Sequence, residues 1–459
     1  MTEKIAPLSG FPELLPADQL AESRMIDQLR RVFELHGFTP VETRSVEPLT
    51  QLARKGEIDK EVYVLRRLHA EPTSGAAEDD TSGNALGLHY DLTVPFARYI
   101  LENAGKLHFP FRRYQIQKVW RGERPQEGRY REFTQADIDV VNRDQLPFHH
   151  DVEIARVMAA ALSTLPVPPL RLQVNNRKLL EGFFRGLEIS DIAAVMRTVD
   201  KLDKVPRDVI HTTLTEEIQL SERQAQLCLE LAEITTSDLS FAARVRDLGV
   251  NHHLLDEGLD ELAEVLAGCQ SLNNDRLVVR ADLRIARGLD YYTGTVFETR
   301  MKGFESLGSI CSGGRYDSLA TDGNISYPGV GISLGLTRLL TPLFTRRKLT
   351  GSRSVPSVVL VAVPAETERQ YCDKIADSLR KRGVACEVSP TAAKYGKQIR
   401  FADRRGIPFL WFPGTAGAAD EVKDIRTGEQ QPADATSWLP PAEDLLPDVV
   451  SVDQAINDR

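Results

Sequence analysis

The sequence predicts an α+β protein in which an antiparallel sheet, flanked by helices, is divided by a helical insertion and followed by a small α/β domain. Residues 111–141 alternate polar and apolar side chains on both sides of a loop that contains proline and glycine, as two antiparallel strands do. Helical periodicity dominates residues 185–272, and strand patterns resume afterwards. After residue 355, apolar strands alternate with helices, which indicates parallel pairing. The length of 459 residues also exceeds what one hydrophobic core usually organises.

The first part of the sheet domain, residues 1–184, opens with a predicted amphipathic helix. Apolar side chains recur at helical spacing between residues 18 and 36, and Gly37 ends the pattern. A strand is predicted from Phe38 to Val46. Residues 71–87 are rich in glycine, serine and acidic residues without periodicity, so they predict a loop inserted between two strands.

The helical insertion is predicted at residues 185–272, where Ser221 and Gln224 form a capping box. Strand patterns return after it, so residues 273–348 predict the second part of the sheet domain. The predicted elements there are strands from Leu277 through Glu298, a glycine-rich stretch at Gly313–Gly335 and a helix that starts near Leu334.

A separate α/β domain is predicted at residues 355–459, after a turn-rich linker. Its predicted elements are a strand at Val358–Val363, a helix with Tyr371, Ile375 and Leu379 on one face that ends at Gly383, a strand at Ala385–Val388, a basic helix at Lys394–Arg405 and a strand at Ile407–Phe412. The domain contains no glycine-rich phosphate-binding pattern, so no nucleotide chemistry is assigned to it.

Composition and charge restrict the class of protein. No apolar run is long enough to span a bilayer and the first residues lack the order of a secretory signal, so a cytoplasmic protein without a membrane partner is expected. The five cysteines have neither a CxxC pair nor a zinc spacing; we expect them reduced and buried, and no metal site is predicted. The net charge of -9 argues against a nucleic-acid partner, but basic residues cluster at 111–131 and 394–405, where two parts of a large polyanion could bind.

The segment Arg287–Glu298 combines an arginine, a carboxylate, two tyrosines and two glycines, which an ordinary core strand does not need. The arginine offers a fixed positive fork, and Tyr291 and Tyr292 offer hydroxyls beside flat apolar faces. A small polar substrate could be gripped and oriented here. The alternative is an exposed hairpin whose arginine pairs with a nearby acid.

The hairpin at residues 111–141 could hold nucleotide phosphates on a sheet. The sequence contains neither a Walker loop nor a G-x-G-x-x-G pattern after a first strand. Arg121, within the strand pattern, could fork onto phosphate oxygens, and Phe133 on the returning strand could stack on an adenine. Taken alone, each residue also has a purely structural interpretation, as an ion pair near Glu123 and as a core side chain.

Together these segments resemble the class II aminoacyl-tRNA synthetases and, along nearly the whole chain, the histidyl-tRNA synthetase family. The resemblance is carried by motif 2 at Arg121–Phe133, motif 3 at Gly329–Leu339, the strand segment Tyr90–Phe96, and the two family-specific blocks Arg287–Gly294 and Ser312–Asp317. It implies a class II catalytic domain made of residues 1–184 and 273–348, a helical insertion between them, and an anticodon-binding domain at residues 355–459.

The activity that the resemblance implies is activation of histidine by ATP to histidyl-adenylate and pyrophosphate, followed by transfer of histidine to the 3′ end of its tRNA. Arg287 and Arg121 are the implied catalytic residues. The implied ATP contacts are Arg121, Glu123, Arg129, Phe133 and Arg338. ATP is a substrate, and Mg²⁺ would be carried largely by its phosphates.

An imidazole has a donor and an acceptor nitrogen, so its selection requires partners of both kinds. Asp139 is the natural acceptor, and Tyr292 the natural polar contact. The implied histidine contacts are Asp91, Leu92, Thr93, Gln135, Asp139, Arg287, Tyr291 and Tyr292. Many family members have glutamate at the position of Asp91 or Asp139.

The resemblance also implies tRNA and a second copy of the chain as partners. The implied tRNA contacts are Arg124 in the motif 2 loop and Lys394, Lys397 and Arg400 on the basic helix. A homodimer is implied by the family, although Arg44 replaces the proline expected in motif 1.

Two other functions remain open from the sequence. One is the histidine-sensing regulatory subunit of ATP phosphoribosyltransferase, a relative that typically lacks both the arginine of the Arg287 block and the anticodon-binding domain. The other is a class II enzyme for proline or threonine, which lacks the blocks of Arg287 and Arg315. Both discriminating features favour the histidine enzyme.

Overall fold

The computed structural model describes residues 6–53, 62–67, 85–286, 291–318, 320–323, 325–414 and 418–451. Its α-helices are α1 (Pro16–Leu35), α2 (Leu49–Leu52), α3 (Thr93–Asn103), α4 (His149–Thr164), α5 (Arg177–Gly186), α6 (Ile192–Val199), α7 (Arg207–Thr212), α8 (Glu222–Glu233), α9 (Ser240–Asp247), α10 (His253–Cys269), α11 (Leu336–Thr345), α12 (Arg369–Lys381) and α13 (Tyr395–Arg404). No helix of these described residues is long and apolar enough to cross a membrane.

The strands at the edges of the sheets are short, and the longest two form the hairpin at residues 111–141. They are β1 (Thr39–Pro40), β2 (Val46–Pro48), β3 (Val64–Leu65), β4 (Leu86–Leu88), β5 (Phe111–Trp120), β6 (Glu132–Val141), β7 (Leu170–Asn176), β8 (Thr235–Thr236), β9 (Leu277–Asp282), β10 (Thr295–Met301), β11 (Cys311–Tyr316), β12 (Thr321–Asp322), β13 (Ile325–Ser326), β14 (Gly329–Gly335), β15 (Leu349–Gly351), β16 (Val359–Val361), β17 (Cys386–Val388), β18 (Phe409–Phe412), β19 (Glu421–Asp424), β20 (Gln430–Pro432) and β21 (Val449–Ser451).

The chain divides into two compact units. One consists of the described residues within Met1–Pro12 and Gln28–Leu339, and the other of those within Glu13–Asp27 and Leu340–Arg459. The first unit contains a nine-stranded sheet in the order β1-β5-β6-β14-β11-β10-β7-β9-β8. Only β1–β5 and β7–β9 pair in parallel, so the predicted antiparallel sheet is confirmed.

One face of this sheet is polar along a line that crosses seven strands. Directly paired residues lie on the same face of a sheet. The paired residues along this line are Gln115, Asp137, Ser333, Ser312, Glu298, Gln173 and Arg280, on β5, β6, β14, β11, β10, β7 and β9. The opposite face carries core side chains such as Ile138 and Val140, which are completely buried. This asymmetry directs the functional groups of the sheet to one side.

The predicted helices of the first unit are confirmed where their periodicity or caps were clear. Helix α1 buries Met25 and Leu29 completely, and Gly37 follows it with a φ of 77°. Both halves of the capping box between Ser221 and Gln224 are formed at the start of α8. The helices α5 to α10 and the short strand β8 lie between β7 and β9 in the chain, and the bounds of the helical insertion stay a prediction.

Two details of the predicted fold are wrong. The strand expected from Phe38 to Val46 is instead β1 and the first residue of β2, which belong to different sheets. Tyr371 was expected on the apolar face of α12, but its side chain is exposed and its hydroxyl donates to Asp420 at 2.9 Å. Cys372 is completely buried in its place, while Ile375 and Leu379 face the core as predicted.

The second unit contains a five-stranded sheet in the order β17-β16-β18-β19-β20. The first three strands are parallel, as predicted, and β19 and β20 extend the sheet in antiparallel fashion. Helix α12 buries Ile375 and Leu379, and Trp411 of β18 is completely buried. All five cysteines of the chain are unbridged and buried, as expected.

Candidate active site

The β5–β6 hairpin forms one wall of an open cavity of about 560 Å³. All five residues predicted to contact ATP line this cavity: Arg121, Glu123, Arg129, Phe133 and Arg338. Arg121 follows β5 directly instead of lying within it, and its amide donates to the carbonyl of Arg131 at 2.8 Å. The structure therefore brings together residues that are up to 217 positions apart in the sequence.

The arginines at the cavity have defined partners. Arg121 donates from Nε to the carbonyl of Tyr90 at 3.0 Å, and its guanidinium lies 5.2 Å from the centre of the Phe133 ring. Arg129 contacts Glu123 at 3.2 Å. Arg338 on α11 donates from Nε to the carbonyl of Gly128 and from Nη1 to the carbonyl of Ser309. These contacts fix the guanidinium planes before any ligand binds, which lowers the entropic cost of binding a phosphate.

Further along the same face of β6, Asp139 lies in a cluster of buried polar side chains. Arg113 of β5 approaches Asp139 at 2.7 Å, and Tyr316 of β11 donates its hydroxyl to Asp139 Oδ1 at 2.9 Å. Arg113 is completely buried and Asp139 is 4% exposed. Arg113 and Tyr316 thus hold the carboxylate of Asp139 in place on this face of the sheet.

Glycines on the neighbouring strands leave the space that these side chains fill. A Cβ on Gly331 would lie 2.0 Å from Asp139 Oδ1, and one on Gly314 would lie 2.7 Å from the ring of Tyr292. Both glycines face the pocket from the neighbouring strands β14 and β11. This explains why the Ser312–Asp317 block and motif 3 are rich in glycine: a side chain there would displace the pocket residues.

Tyr291, Tyr292 and Tyr316 form a group of aromatic rings beside Asp139. The centroids of Tyr291 and Tyr292 are 5.0 Å apart, and those of Tyr291 and Tyr316 are 5.6 Å apart. Burial, reinforced by the negative charge of Asp139, raises the pKa of all three hydroxyls. The hydroxyls therefore stay protonated: that of Tyr316 donates to Asp139, and that of Tyr292 can act as a hydrogen-bond donor to a ligand.

The carboxyl of Asp137 lies between Gln135 and Asp139 on this face and is 2% exposed. Burial raises its pKa to about 7, with the charge of Asp139 adding to the effect and that of Arg113 opposing it. Gln135 donates to Ser333 Oγ at 2.8 Å.

Sequence reasoning did not assign Asp137, Ser333, Arg113 or Tyr316 to the site. The alternation of β6 could have identified Asp137, because it shares a face with the two predicted residues on either side.

Asp91, Leu92 and Thr93 were expected on a strand, and this expectation is wrong. Thr93 is the first residue of α3, and Asp91 lies in the turn before it, where Oδ1 accepts the amide of Val94 at 3.0 Å. An aspartate that accepts an amide in the first helical turn favours this helix start. Asp91 is nevertheless 5% exposed, and the carbonyl of Tyr90 beside it holds Arg121.

Arg287 lies outside the residues that the structure describes, as does most of the 71–87 loop. The described residues on either side of it are anchored. Asn175 of β7 donates to the carbonyl of Ile285 at 2.8 Å, and Arg177 donates to the carbonyl of Tyr292 at 2.8 Å. Arg315 accepts the amide of Thr293 on its carbonyl.

The side chain of Arg315 is engaged away from the pocket. It pairs with Asp151 of α4 at 2.9 Å and donates to the carbonyl of Leu146. Burial raises the pKa of Asp151 to about 6, although Arg315 opposes the shift. Arg315 is therefore a structural link between the sheet and α4.

The four residues predicted to contact tRNA are all exposed: Arg124, Lys394, Lys397 and Arg400. Arg124 lies in the β5–β6 loop of the first unit. The other three lie at the start of α13 or on it, in the second unit. Arg113, in contrast, belongs to the basic cluster at 111–131 but is buried in the pocket, so it is not available to a polyanion.

Comparisons with known proteins agree with this geometry. Residues 10–339 match the family model described as histidyl-tRNA synthetase, and residues 357–436 match that of an anticodon-binding domain. The histidine–tRNA ligase of Cutibacterium acnes is 59% identical, with 97% of this chain and 99% of that protein covered. The corresponding protein of Micrococcus luteus is 56% identical, with coverage of 97% and 98%. The crystal structure of histidyl-tRNA synthetase from Nostoc sp. PCC 7120 superposes with a TM-score of 0.82 at 32% identity, covering 100% of this chain and 99% of that one.

Proposed function

This chain belongs to the histidyl-tRNA synthetase family, and we propose that its reaction centre is built on the polar face of β6. It is a histidine–tRNA ligase: it activates histidine with ATP and transfers the histidine to tRNA. The observation that carries our assignment is that one strand serves both substrates. Phe133 and Gln135 line the ATP cavity, and Asp139 lies further along the same face, about 13 Å from Gln135 along the strand.

In the activation step, the carboxylate of histidine attacks the α-phosphorus of ATP and pyrophosphate leaves. The protein contributes position and positive charge, and no covalent protein nucleophile is required. Arg121 meets the α-phosphate from the end of β5. Arg129 and Arg338 hold the distal phosphates, and Phe133 stacks on the adenine. Arg287 is assigned to the bridge between the histidine carboxylate and the α-phosphate.

Histidine binds with its imidazole toward Asp139 and the tyrosines. Asp139 accepts the N–H of the ring, and the protonated hydroxyl of Tyr292 donates to the other nitrogen. Gln135, Asp91 and Thr93 face the amino and carboxylate groups, with Leu92 completing the wall. An amino acid of similar size without a ring N–H forgoes the hydrogen bond to Asp139, which costs binding energy.

The cavity also fits a magnesium ion delivered with ATP. Among the described residues that line it, Glu123 supplies the carboxylate. Mg²⁺ is usually bound by one or two carboxylates together with the phosphates of the substrate. We assign Glu123 to this role, in which the ion would neutralise charge on the phosphates.

The remaining assignments concern partners and location. We propose that Arg124 meets the acceptor end of the tRNA and that Lys394, Lys397 and Arg400 meet its anticodon region. Their support is exposure and charge, together with the match of residues 357–436 to an anticodon-binding domain. A cytoplasmic homodimer is proposed from family membership.

Exchange of radioactive pyrophosphate into ATP, measured with each of the twenty amino acids, tests this function. We expect exchange with histidine alone, and its loss in Arg287→Ala with the far-ultraviolet circular dichroism spectrum unchanged. Arg276→Ala, a change at an exposed arginine before β9, is the matched control and should keep full exchange. Tight histidine binding without exchange in the wild type would instead indicate the regulatory function.

A further inference from the structure

A second cavity lies further across the nine-stranded sheet, over β10, β7 and β9, with a volume of about 470 Å³. Five basic side chains line it, and we call it the arginine recess: Arg171, Arg280, Arg284, Arg300 and Lys302. Two carboxylates, Asp203 and Glu305, also line it, and Asp282 and Glu298 pair with its arginines, so one positive charge is in excess. The functional assignments above do not use any of these residues.

The recess lies on the same face of the sheet as the candidate active site. Gln173, which lines it, pairs with Arg280 on β9 and with Glu298 on β10, and the line of paired polar residues continues from there to Asp137. The strand spacing places β7 about 14 Å from β14 across the sheet. The recess and the reaction centre thus lie on one face of the sheet, with the buried side chains of Glu298 and Gln173 between them.

The arginines of the recess have neutralising partners but unused hydrogen-bond donors. The ion pairs Arg280–Asp282, Arg284–Asp282 and Arg300–Glu298 span 3.5 to 3.8 Å, which is beyond hydrogen-bond range. Nε of Arg280, of Arg284 and of Arg300 is buried without a hydrogen-bond acceptor among the described residues. A buried donor without an acceptor is unfavourable, and an oxyanion would remove the cost.

Repulsion between the cations of the recess also favours the binding of an anion there. The pKa of Arg280 is lowered by burial and, further, by the charges of Arg171 and Arg284, while Asp282 opposes the shift. Asp203, in the short 3-10 helix Asp200–Asp203 that follows α6, contacts both Arg284 and Arg300. One carboxylate from between β7 and β9 in the chain thus already neutralises part of this cluster.

We propose that the arginine recess is a phosphate-binding site. A tetrahedral phosphate presents several oxygens at once and matches the fork of each guanidinium, so it can satisfy several arginines together. Two sources offer this chemistry: the sugar-phosphate backbone of the tRNA, and free phosphate or pyrophosphate. The phosphate-binding site itself does not depend on the proposed function; only the choice between these two sources rests on it.

The first measurement is calorimetric titration of inorganic phosphate at low salt, with the ATP cavity filled by a non-hydrolysable ATP analogue. The variants are Arg171→Gln, which changes an exposed residue, and the double variant Arg171→Gln/Arg280→Gln. Arg31→Gln, at an exposed position of α1, controls for loss of one positive charge. The second measurement is the KM for tRNA in aminoacylation, with histidine-dependent exchange as the readout that tRNA binding should not affect.

We expect saturable phosphate binding in the wild type, weakened about tenfold in the double variant and unchanged in Arg31→Gln. An equal rise in KM for tRNA with normal exchange identifies the tRNA backbone as the source. An unchanged KM identifies free phosphate or pyrophosphate. Unaltered phosphate binding and unaltered KM in both recess variants, or equal losses in Arg31→Gln, would overturn the proposal. Absence of exchange in the wild type would refute the proposed function, while the phosphate titration would remain interpretable.

Discussion

Arg113 and Asp139 form a buried ion pair on neighbouring strands, with Nη2 of the arginine 2.7 Å from Oδ2 of the aspartate. The same nitrogen lies 3.9 Å from Asp137, and the guanidinium lies 4.2 Å from the centre of the Phe96 ring. One cation therefore serves two buried carboxylates on the face where we have proposed that histidine binds. Removing the charge of one partner leaves the charge of the other buried and unpaired, which is energetically costly.

Replacing Arg113 should destabilise the protein strongly. In Arg113→Gln the two carboxylates lose their counter-charge, and we expect the free energy of unfolding to fall by about 3–5 kcal/mol. Arg112→Gln is the matched control, because Arg112 forms a partly exposed ion pair with Glu153 and should cost less than about 1 kcal/mol. Urea denaturation followed by circular dichroism measures both. Equal losses in the two variants would contradict the central role of the Arg113 pair.

The raised pKa of Asp137, about 7, makes the stability depend on pH. The folded state holds this proton more tightly than the unfolded chain, whose aspartate titrates near 3.8. The group therefore contributes stability at low pH, and that contribution is lost as the pH rises through 7. Between pH 5.5 and pH 8 the loss amounts to about 2 kcal/mol.

Asp137→Asn tests this directly, because asparagine cannot ionise. Urea denaturation at pH 5.5 and at pH 8 should show a smaller difference in the variant than in the wild type. Asp144→Asn is the control: Asp144 is an exposed aspartate after β6, and its replacement should leave the pH dependence as it is in the wild type. An Asp137→Asn protein with the full wild-type difference would show that another group carries it.

A methyl group at Gly331 should damage histidine recognition selectively. The Cβ of Gly331→Ala would lie 2.0 Å from Asp139 Oδ1, so the carboxylate must move. We expect the KM for histidine in pyrophosphate exchange to rise by about tenfold or more, since a small misplacement of a positioning group is costly. The KM for ATP should change little. Gly105→Ala, whose Cβ meets nothing within 4 Å, should behave like the wild type.

The sequence predicted the sheet hairpin well, because its strands alternate regularly and its loop contains Pro125 and Gly128. Arg121 and Phe133 were proposed as ATP contacts from the hairpin pattern, and Glu123, Arg129 and Arg338 through the resemblance; all five line one cavity, and their contact with ATP stays a prediction. Nothing in the spacing of Arg121 and Arg338 indicates that they lie around one cavity, because strand order in a sheet is set by long-range pairing. The placement of β14 between β6 and β11 brings them together.

The residues that the sequence did not reveal share one property. Arg113 and Tyr316 contact Asp139 from other strands, and Arg113 also lies 3.9 Å from Asp137 across the β5–β6 pair. A basic residue in a basic segment is more often exposed. The segment at Asp91 was predicted to be a strand, but an aspartate before an apolar run fits either a strand end or a helix start. The hydrogen bond from the amide of Val94 to Asp91 stabilises the helix start.

Lys397 on α13 should affect tRNA and leave histidine activation unchanged. Its side chain is exposed in the second unit, and we have proposed that it contacts the anticodon region. In Lys397→Gln, we expect the KM for tRNA to rise and the slope of log affinity against log salt to fall by about 1, because one phosphate contact is lost. Histidine-dependent exchange should keep its wild-type rate. Lys374→Gln, at an exposed position of α12, is the matched control. If both lysine variants weaken tRNA binding equally, the effect comes from net charge and α13 loses its assignment.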